Sequence, residues 1–162
     1  MTRDVIQTAF DEFMKAEGFR KQSGSWHRST SDVVTVANLQ RSQYSPRYYV
    51  NIGLWLRELG DAVAPKENKC HVRIRIGQLL GAQDDAQVNS LLDLETEMPD
   101  DQRRGALLAM FGVVLRPALE AGESMETLRS PAGRRLREAA LVAGRAQALL
   151  AQNDRRANDA PS

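Results

Sequence analysis

The sequence predicts an α+β fold: an N-terminal helix, a four-stranded antiparallel meander, and C-terminal helices packed on the sheet. Three observations predict it. Val5, Ile6, Phe10, Phe13 and Met14 recur at three- and four-residue spacing, which places them on one helical stripe. Tyr48, Val50, Ile52, Leu54 and Leu56 alternate with Tyr49, Asn51, Gly53, Trp55 and Arg57. Cys70, Val72, Ile74 and Ile76 alternate likewise with His71, Arg73 and Arg75, and period two is the signature of a strand. After Gly77 the pattern is helical. Strands grouped first and helices afterwards give α+β rather than βαβ units.

The elements follow in order. In the first helix Thr2 is the expected N-cap, Asp4 sits in the first turn where the helix dipole favours a carboxylate, and Gly18 is the stop. Phe19 then packs back on the core. Residues 25–28 read as a short strand, Thr30-Ser31-Asp32 as a turn, and residues 33–41 as a second strand rich in Val and Thr at its start. A loop over residues 42–47, with Tyr44, Ser45 and Pro46, leads to the strand at 48–56. A polar loop over 60–69 leads to the strand at 70–76. A short helix is expected within residues 84–94. A longer one starts at Pro99-Asp100-Asp101 and ends near Pro117. Residues 123–128 form a further turn or short helix. Ser130-Pro131 pairs an N-cap with proline at the first helical position, opening a last helix to about residue 151. Residues 1–152 are read as one domain and residues 153–162 as a flexible tail.

At 162 residues, 42% hydrophobic and 27% charged, the chain has the composition of a folded domain. A net charge of +1 argues against a protein whose main task is neutralising phosphates. The single cysteine permits no intramolecular disulfide. The N-terminus lacks the apolar stretch of a signal peptide, and the longest apolar run, residues 106–115, is too short to span a bilayer. A cytoplasmic location with no membrane association is expected. Eighteen of the 22 basic residues are Arg, a bias typical of GC-rich bacterial genes.

No motif for catalysis or cofactor binding is present, and neither a metal nor a cofactor is expected. His27, His71 and Cys70 are too few for a zinc site, and strand neighbours Cys70 and His71 point to opposite faces. Cys70 is read as a core residue and His71 as a surface one. There is no Gly-x-Ser-x-Gly elbow, and the Gly77 to Gly81 stretch lacks the Lys-Ser/Thr of a P-loop. The carboxylates at Asp84-Asp85 and Asp100-Asp101 suit helix starts. Arg129, Arg134, Arg135 and Arg137, near the start of the last helix, are read as pairing with Glu123, Glu126 and Glu138, with an acidic partner or a nucleic-acid backbone as the alternative.

The candidate site is the second face of the sheet. Asn38, Gln40, Tyr49, Asn51, Trp55, Arg57, His71, Arg73 and Arg75 share it, with Tyr44 in the adjoining loop. Aromatic, amide and guanidinium groups together make a contact surface, since each offers large area or forked hydrogen bonding. The competing reading has the C-terminal helices covering this face. The expected function is non-enzymatic binding of another protein, and analogy with small α+β immunity proteins extends it to neutralising a toxin. The alternatives are a nucleic-acid-binding module using Arg73, Arg75, Tyr49 and Trp55, and an enzyme assembled from His27, Tyr44 and scattered carboxylates without a readable motif.

Four segments carry a family resemblance: Gly18-Phe19-Arg20-Lys21, Trp26-His27-Arg28, Val36-Ala37-Asn38-Leu39-Gln40-Arg41-Ser42 and Tyr48-Tyr49-Val50-Asn51-Ile52-Gly53-Leu54. In this order and spacing the chain resembles the small bacterial proteins of domain of unknown function 4304. The resemblance covers roughly residues 5–140 and is strongest over 18–54. It implies a compact bacterial α+β domain and brings no activity or site residues with it.

Overall fold

The structure, a computed structural model, describes residues 3–158, with side chains to residue 152. It begins with α1 (Val5–Ala16), capped by Asp4. Asp4 Oδ1 accepts from Gln7 N at 2.9 Å and Gln7 Oε1 accepts from Asp4 N at 3.0 Å, a reciprocal capping box. The cap expected at Thr2 lies outside the described residues. Gly18 stops the helix in the left-handed region at φ +85°. Arg28 seals that end by donating to Glu17 O at 2.9 Å.

The sheet is antiparallel and has six strands, where the sequence predicts four. β1 (Arg20–Gln22), β2 (Ser25–Ser29), β3 (Val33–Arg41), β4 (Tyr48–Leu56), β5 (Val72–Arg75) and β6 (Leu141–Val142) lie side by side in chain order. β1 joins β2 through Ser23 and Gly24, both with positive φ (54° and 81°). Two such residues make the type I′ turn whose twist matches a hairpin. β6 arrives after five helices and supplies a partner for the free edge of β5, pairing Val142 with Val72 and Leu141 with Arg73.

The helices are α2 (Ala82–Leu91), α3 (Asp100–Met110), α4 (Arg116–Ala121), α5 (Met125–Arg129), α6 (Pro131–Ala139) and α7 (Gly144–Asn158). A π turn at Phe111–Leu115 joins α3 to α4, so helix continues past the end expected near Pro117. The i→i−5 bond from Arg116 N–H to Phe111 O moves the ladder out of register just before Pro117, which has no N–H to give. The last helix is also corrected. Ser130 caps it as expected, accepting from Gly133 N at 3.1 Å, but it breaks at Ala140, which is extended. Sheet pairing at Leu141–Val142 overrides the helix propensity of this alanine-rich stretch. α7 carries helical backbone into the segment expected as a tail, and residues 159–162 lie outside the described residues.

All helices pack on one face of the sheet. Val33, Ala37, Val50, Ile52, Leu54, Leu56, Val72 and Ile74 join one cluster with apolar residues from α1 through α7. Phe10 and Phe13 meet Phe111 at ring separations of 5.8 and 5.5 Å, which fixes α1 against the π turn. The second face of the sheet is left to the loops.

Candidate functional site

The register of the meander decides which side chains share the second face. Asn38 stands opposite Asn51, Gln40 opposite Tyr49, and Val34 opposite Trp55 on β3 and β4. Asn51 stands opposite Arg75, and Gly53 opposite Arg73, on β4 and β5. These pairings put Asn38, Gln40, Tyr49, Asn51, Trp55, Arg73 and Arg75 on one face of the sheet. The face is divided in two, however, and only one half is open.

The covered half lies beneath residues 57–71, the connection from β4 to β5. Val34, Val36 and Cys70 form a second small core there, with Trp55 packed against it. The strand opposite Cys70 must be glycine: a Cβ on Gly53 would stand 2.8 Å from Cys70 Sγ and 3.1 Å from Glu67 O. Polar bonds pin the connection down. Trp55 Nε1 donates to Gly60 O at 3.0 Å, His27 Nε2 meets Pro65 O at 3.0 Å, and Arg73 Nε donates to Glu67 Oε1 at 3.3 Å. The C-terminal helices expected as an alternative cover do not form it; α7 only tethers it, through Arg145 and Leu59 O at 3.1 Å.

This arrangement buries Cys70, as expected of a core residue, but in the second small core, and it overturns the surface position expected of His71. β5 begins only at Val72, and a 3₁₀ turn at Glu67–Lys69 delivers Cys70 onto the second face rather than into the main core. Burial first, and then the neighbouring Glu67 carboxylate, push the Cys70 thiol up to about 12. His71 is buried, not a surface residue. Its ring lies 4.3 Å from that of Trp55, and its Nδ1 accepts from Leu56 N at 3.0 Å. Burial, with the charge of Arg145 as a second cause, lowers its pKa below the ordinary imidazole value. Trp55, His71 and Arg73 thus hold the fold together, and exposed Arg57 sits on the turn leaving β4, off the face.

The open half holds Asn38, Gln40, Tyr49, Asn51 and Arg75. Arg75 Nε donates to Asn51 Oδ1 and its Nη2 to Gln40 Oε1, both at 3.2 Å. Asn51 Nδ2 donates to Gln40 Oε1 at 2.9 Å and to Asn38 Oδ1 at 3.1 Å. The amide orientations follow from chemistry. A guanidinium has no acceptor, so Asn51 and Gln40 must turn oxygens to Arg75, and Asn51 then has only its nitrogen for Asn38. Arg75 also lies on the Tyr49 ring, 4.1 Å from its centroid. Tyr44, 94% exposed, stands on the loop at the end of the same hairpin.

Sequence reasoning missed Arg47. Its guanidinium also approaches the Tyr49 ring, at 5.2 Å, and its buried Nε has no hydrogen-bond partner. Arg47, Tyr49 and Arg75, with Gln78, Asp85 and Asn89, line a cleft of about 290 Å³ between the sheet and α2. The signal available was its place one residue before the alternating strand, two positions from Tyr49. A larger groove, about 700 Å³, opens among α2, the π turn and α6, but its lining is mostly aliphatic.

His27 and Tyr44 do not meet. His27 stands opposite Val36, five residues before the end of β3, which is about 16 Å along the strand, and Tyr44 lies beyond that end. Among the described residues no three His, Cys, Asp or Glu side chains converge as metal ligands would, and no helix is long and apolar enough to cross a membrane.

No curated protein and no solved structure matches the chain. A family model does match, over residues 10–121, from α1 to the end of α4. That span contains both halves of the second face and stops short of α5, α6, β6 and α7. The resemblance spans roughly residues 5–140 and is strongest over 18–54; the family model covers 10–121 of that span, and the chain belongs to the family described as domain of unknown function (DUF4304).

Proposed function

We propose that this chain is a non-enzymatic protein-binding domain that docks a partner on the open half of the second sheet face, acting in the manner of an immunity protein that neutralises a toxin. One observation carries the reading. The Asn38–Gln40–Asn51–Arg75 network is already hydrogen-bonded and stacked on Tyr49, yet it lies outside the cover made by residues 57–71. Side chains held in place before association lose less conformational freedom on binding, which favours a contact surface. The groups best suited to acid–base or nucleophilic work are occupied elsewhere. His27 and His71 are engaged by backbone groups, and Cys70 is buried with its thiol raised.

Photocrosslinking in the source organism tests the proposal. A photoreactive residue at Gln40 or Tyr44 is expected to capture one defined protein, and the same residue at Glu126, exposed on α5, is expected to capture none. Equal labelling from all three positions, or none from any, overturns the reading. For the toxin-neutralising form, the captured protein must arrest growth when expressed alone and lose that effect when this chain is supplied.

A further inference from the structure

The open half of the face has a chemical sign. We infer that it recognises carboxylates, and that the cleft beside Tyr49 receives an aspartate or glutamate side chain of the docked protein; this rests on the docking proposal above. The internal network uses acceptors and leaves donors. Gln40 Oε1 accepts twice, from Asn51 and from Arg75, while Asn51 Oδ1 and Asn38 Oδ1 each accept once. What is left over is mainly donor capacity: the Gln40 and Asn38 amide N–H groups and Arg75 Nη1, against one remaining lone pair each on Asn51 Oδ1 and Asn38 Oδ1.

The cleft repeats this bias with charge. Arg47 and Arg75 both lie against the Tyr49 ring, and neither has an ion-pair partner among the described residues. Arg47 Nε is buried without any hydrogen-bond partner, a costly arrangement that marks this guanidinium as under-used inside the fold. One acid, Asp85, lines the same cleft. Its Oδ1 is turned to the Gly77 wall, 2.4 Å from where a Cβ on Gly77 would stand. Within the lining, two guanidinium groups stand against one carboxylate; Asp93, bridged to Arg47 through the backbone, lies outside the lining and holds Glu95 N on its Oδ1 at 2.9 Å. A volume of about 290 Å³ suits one acidic side chain and not a folded element.

A nucleic-acid backbone fits less well, since it needs a run of cations along its phosphates. Arg73, the next cation along β5, is already neutralised by Glu67. A guanidinium fork matches a planar carboxylate in two parallel bonds.

The test follows the Arg47 and Arg75 Nε–Hε signals of the ¹⁵N-labelled chain by NMR during titration with acetyl-glutamyl-amide, acetyl-glutaminyl-amide or inorganic phosphate. Saturable shifts of both signals with the glutamyl compound, and none with the neutral glutaminyl one, are expected. Arg47→Gln, which lies outside the amide network and whose fold is checked by its backbone amide spectrum, is expected to weaken the glutamyl affinity about tenfold, the effect of losing one charged hydrogen bond. No saturable shift overturns the inference. Tighter binding of phosphate than of the glutamyl compound overturns it in favour of a phosphate-bearing partner. Crosslinking from Gln40 in the Arg47→Gln chain separates the two proposals. Undiminished capture sinks the carboxylate site and leaves the docking face standing. A glutamyl shift with no capture from the unmodified chain sinks the docking face and makes the cleft a site for free carboxylates.

Discussion

Arg103 brings a full charge into the interior, 2% exposed, and among the described residues it forms no ion pair. Its guanidinium donates to Ser90 O at 3.2 Å, to Leu91 O at 2.8 Å and to Thr96 O. The first two are carbonyls at the C-terminal end of α2, where the helix dipole is negative, so helix ends replace a counter-ion. Replacing it by Met, which keeps the volume, leaves three carbonyls stranded. Arg103→Met is expected to cost about 2–3 kcal/mol in urea unfolding. Arg103→Lys is expected to recover only part of that, because one ammonium cannot reproduce the fork. In the sequence this residue looks like a solvated cation after Asp100-Asp101. Its position four before Leu107 and seven before Met110 places it on the buried stripe, and that spacing was the readable clue. Arg47 escaped in a different way: what marks it is a contact with Tyr49 that only the folded chain creates.

At the scale of elements, the β4–β5 connection is what decides how much of the sheet can be used. It lies flat on the sheet because β4 has glycine at position 53, below Cys70 Sγ and Glu67 O. Gly53→Ala puts a methyl group into that contact and is expected to destabilise by about 1–3 kcal/mol, as overpacking does. The thiol reports the same event. With Cys70 raised to about 12, the native chain at pH 8 is expected to resist a disulfide reagent, and Gly53→Ala to react faster as the connection lifts. Equal rates in the two chains would show that the glycine does not hold the cover in place. Strong alternation made β4 legible in sequence, and the cap-plus-proline at Ser130 made the start of α6 legible. The hairpin turn Ser23-Gly24 was equally present as a signal, and it gives β1. β6 was not readable, since two residues in an alanine-rich run become a strand only because β5 has a free edge. The open half of the site was legible for a simple reason: alternation fixes a face. The covered half was not, because alternation does not say what a 15-residue connection will lie upon.

Across the whole molecule, His71 is where the sheet, its cover and the C-terminal segment come together. Its Nδ1 holds the end of β4 through Leu56 N, its ring stacks on Trp55, and its carbonyl accepts from Ala143 N at 2.8 Å just before α7. Arg145 of α7, which also donates to Leu59 O at 3.1 Å, adds a positive charge nearby. A protonated ring would lose the acceptor that Leu56 needs, and its charge would face burial and Arg145 together. The native pKa is accordingly lowered, whereas the unfolded chain keeps the ordinary value of about 6.5. Below that value the unfolded state binds a proton that the native state refuses, so stability falls as pH falls. The loss begins near pH 6.5, continues down to the lowered native pKa, and levels off beneath it; above pH 6.5 the contribution is fully present. Thermal unfolding midpoints at pH 7.5, 6.5 and 5.5 are therefore expected to drop on acidification. His71→Asn offers Leu56 an oxygen acceptor that does not titrate, so its midpoint is expected to be lower at pH 7.5, for want of the ring stacking, but flatter across the range. If both chains lose stability in parallel between pH 7.5 and 5.5, His71 is not the group responsible, and the junction between sheet, cover and α7 is held by packing alone.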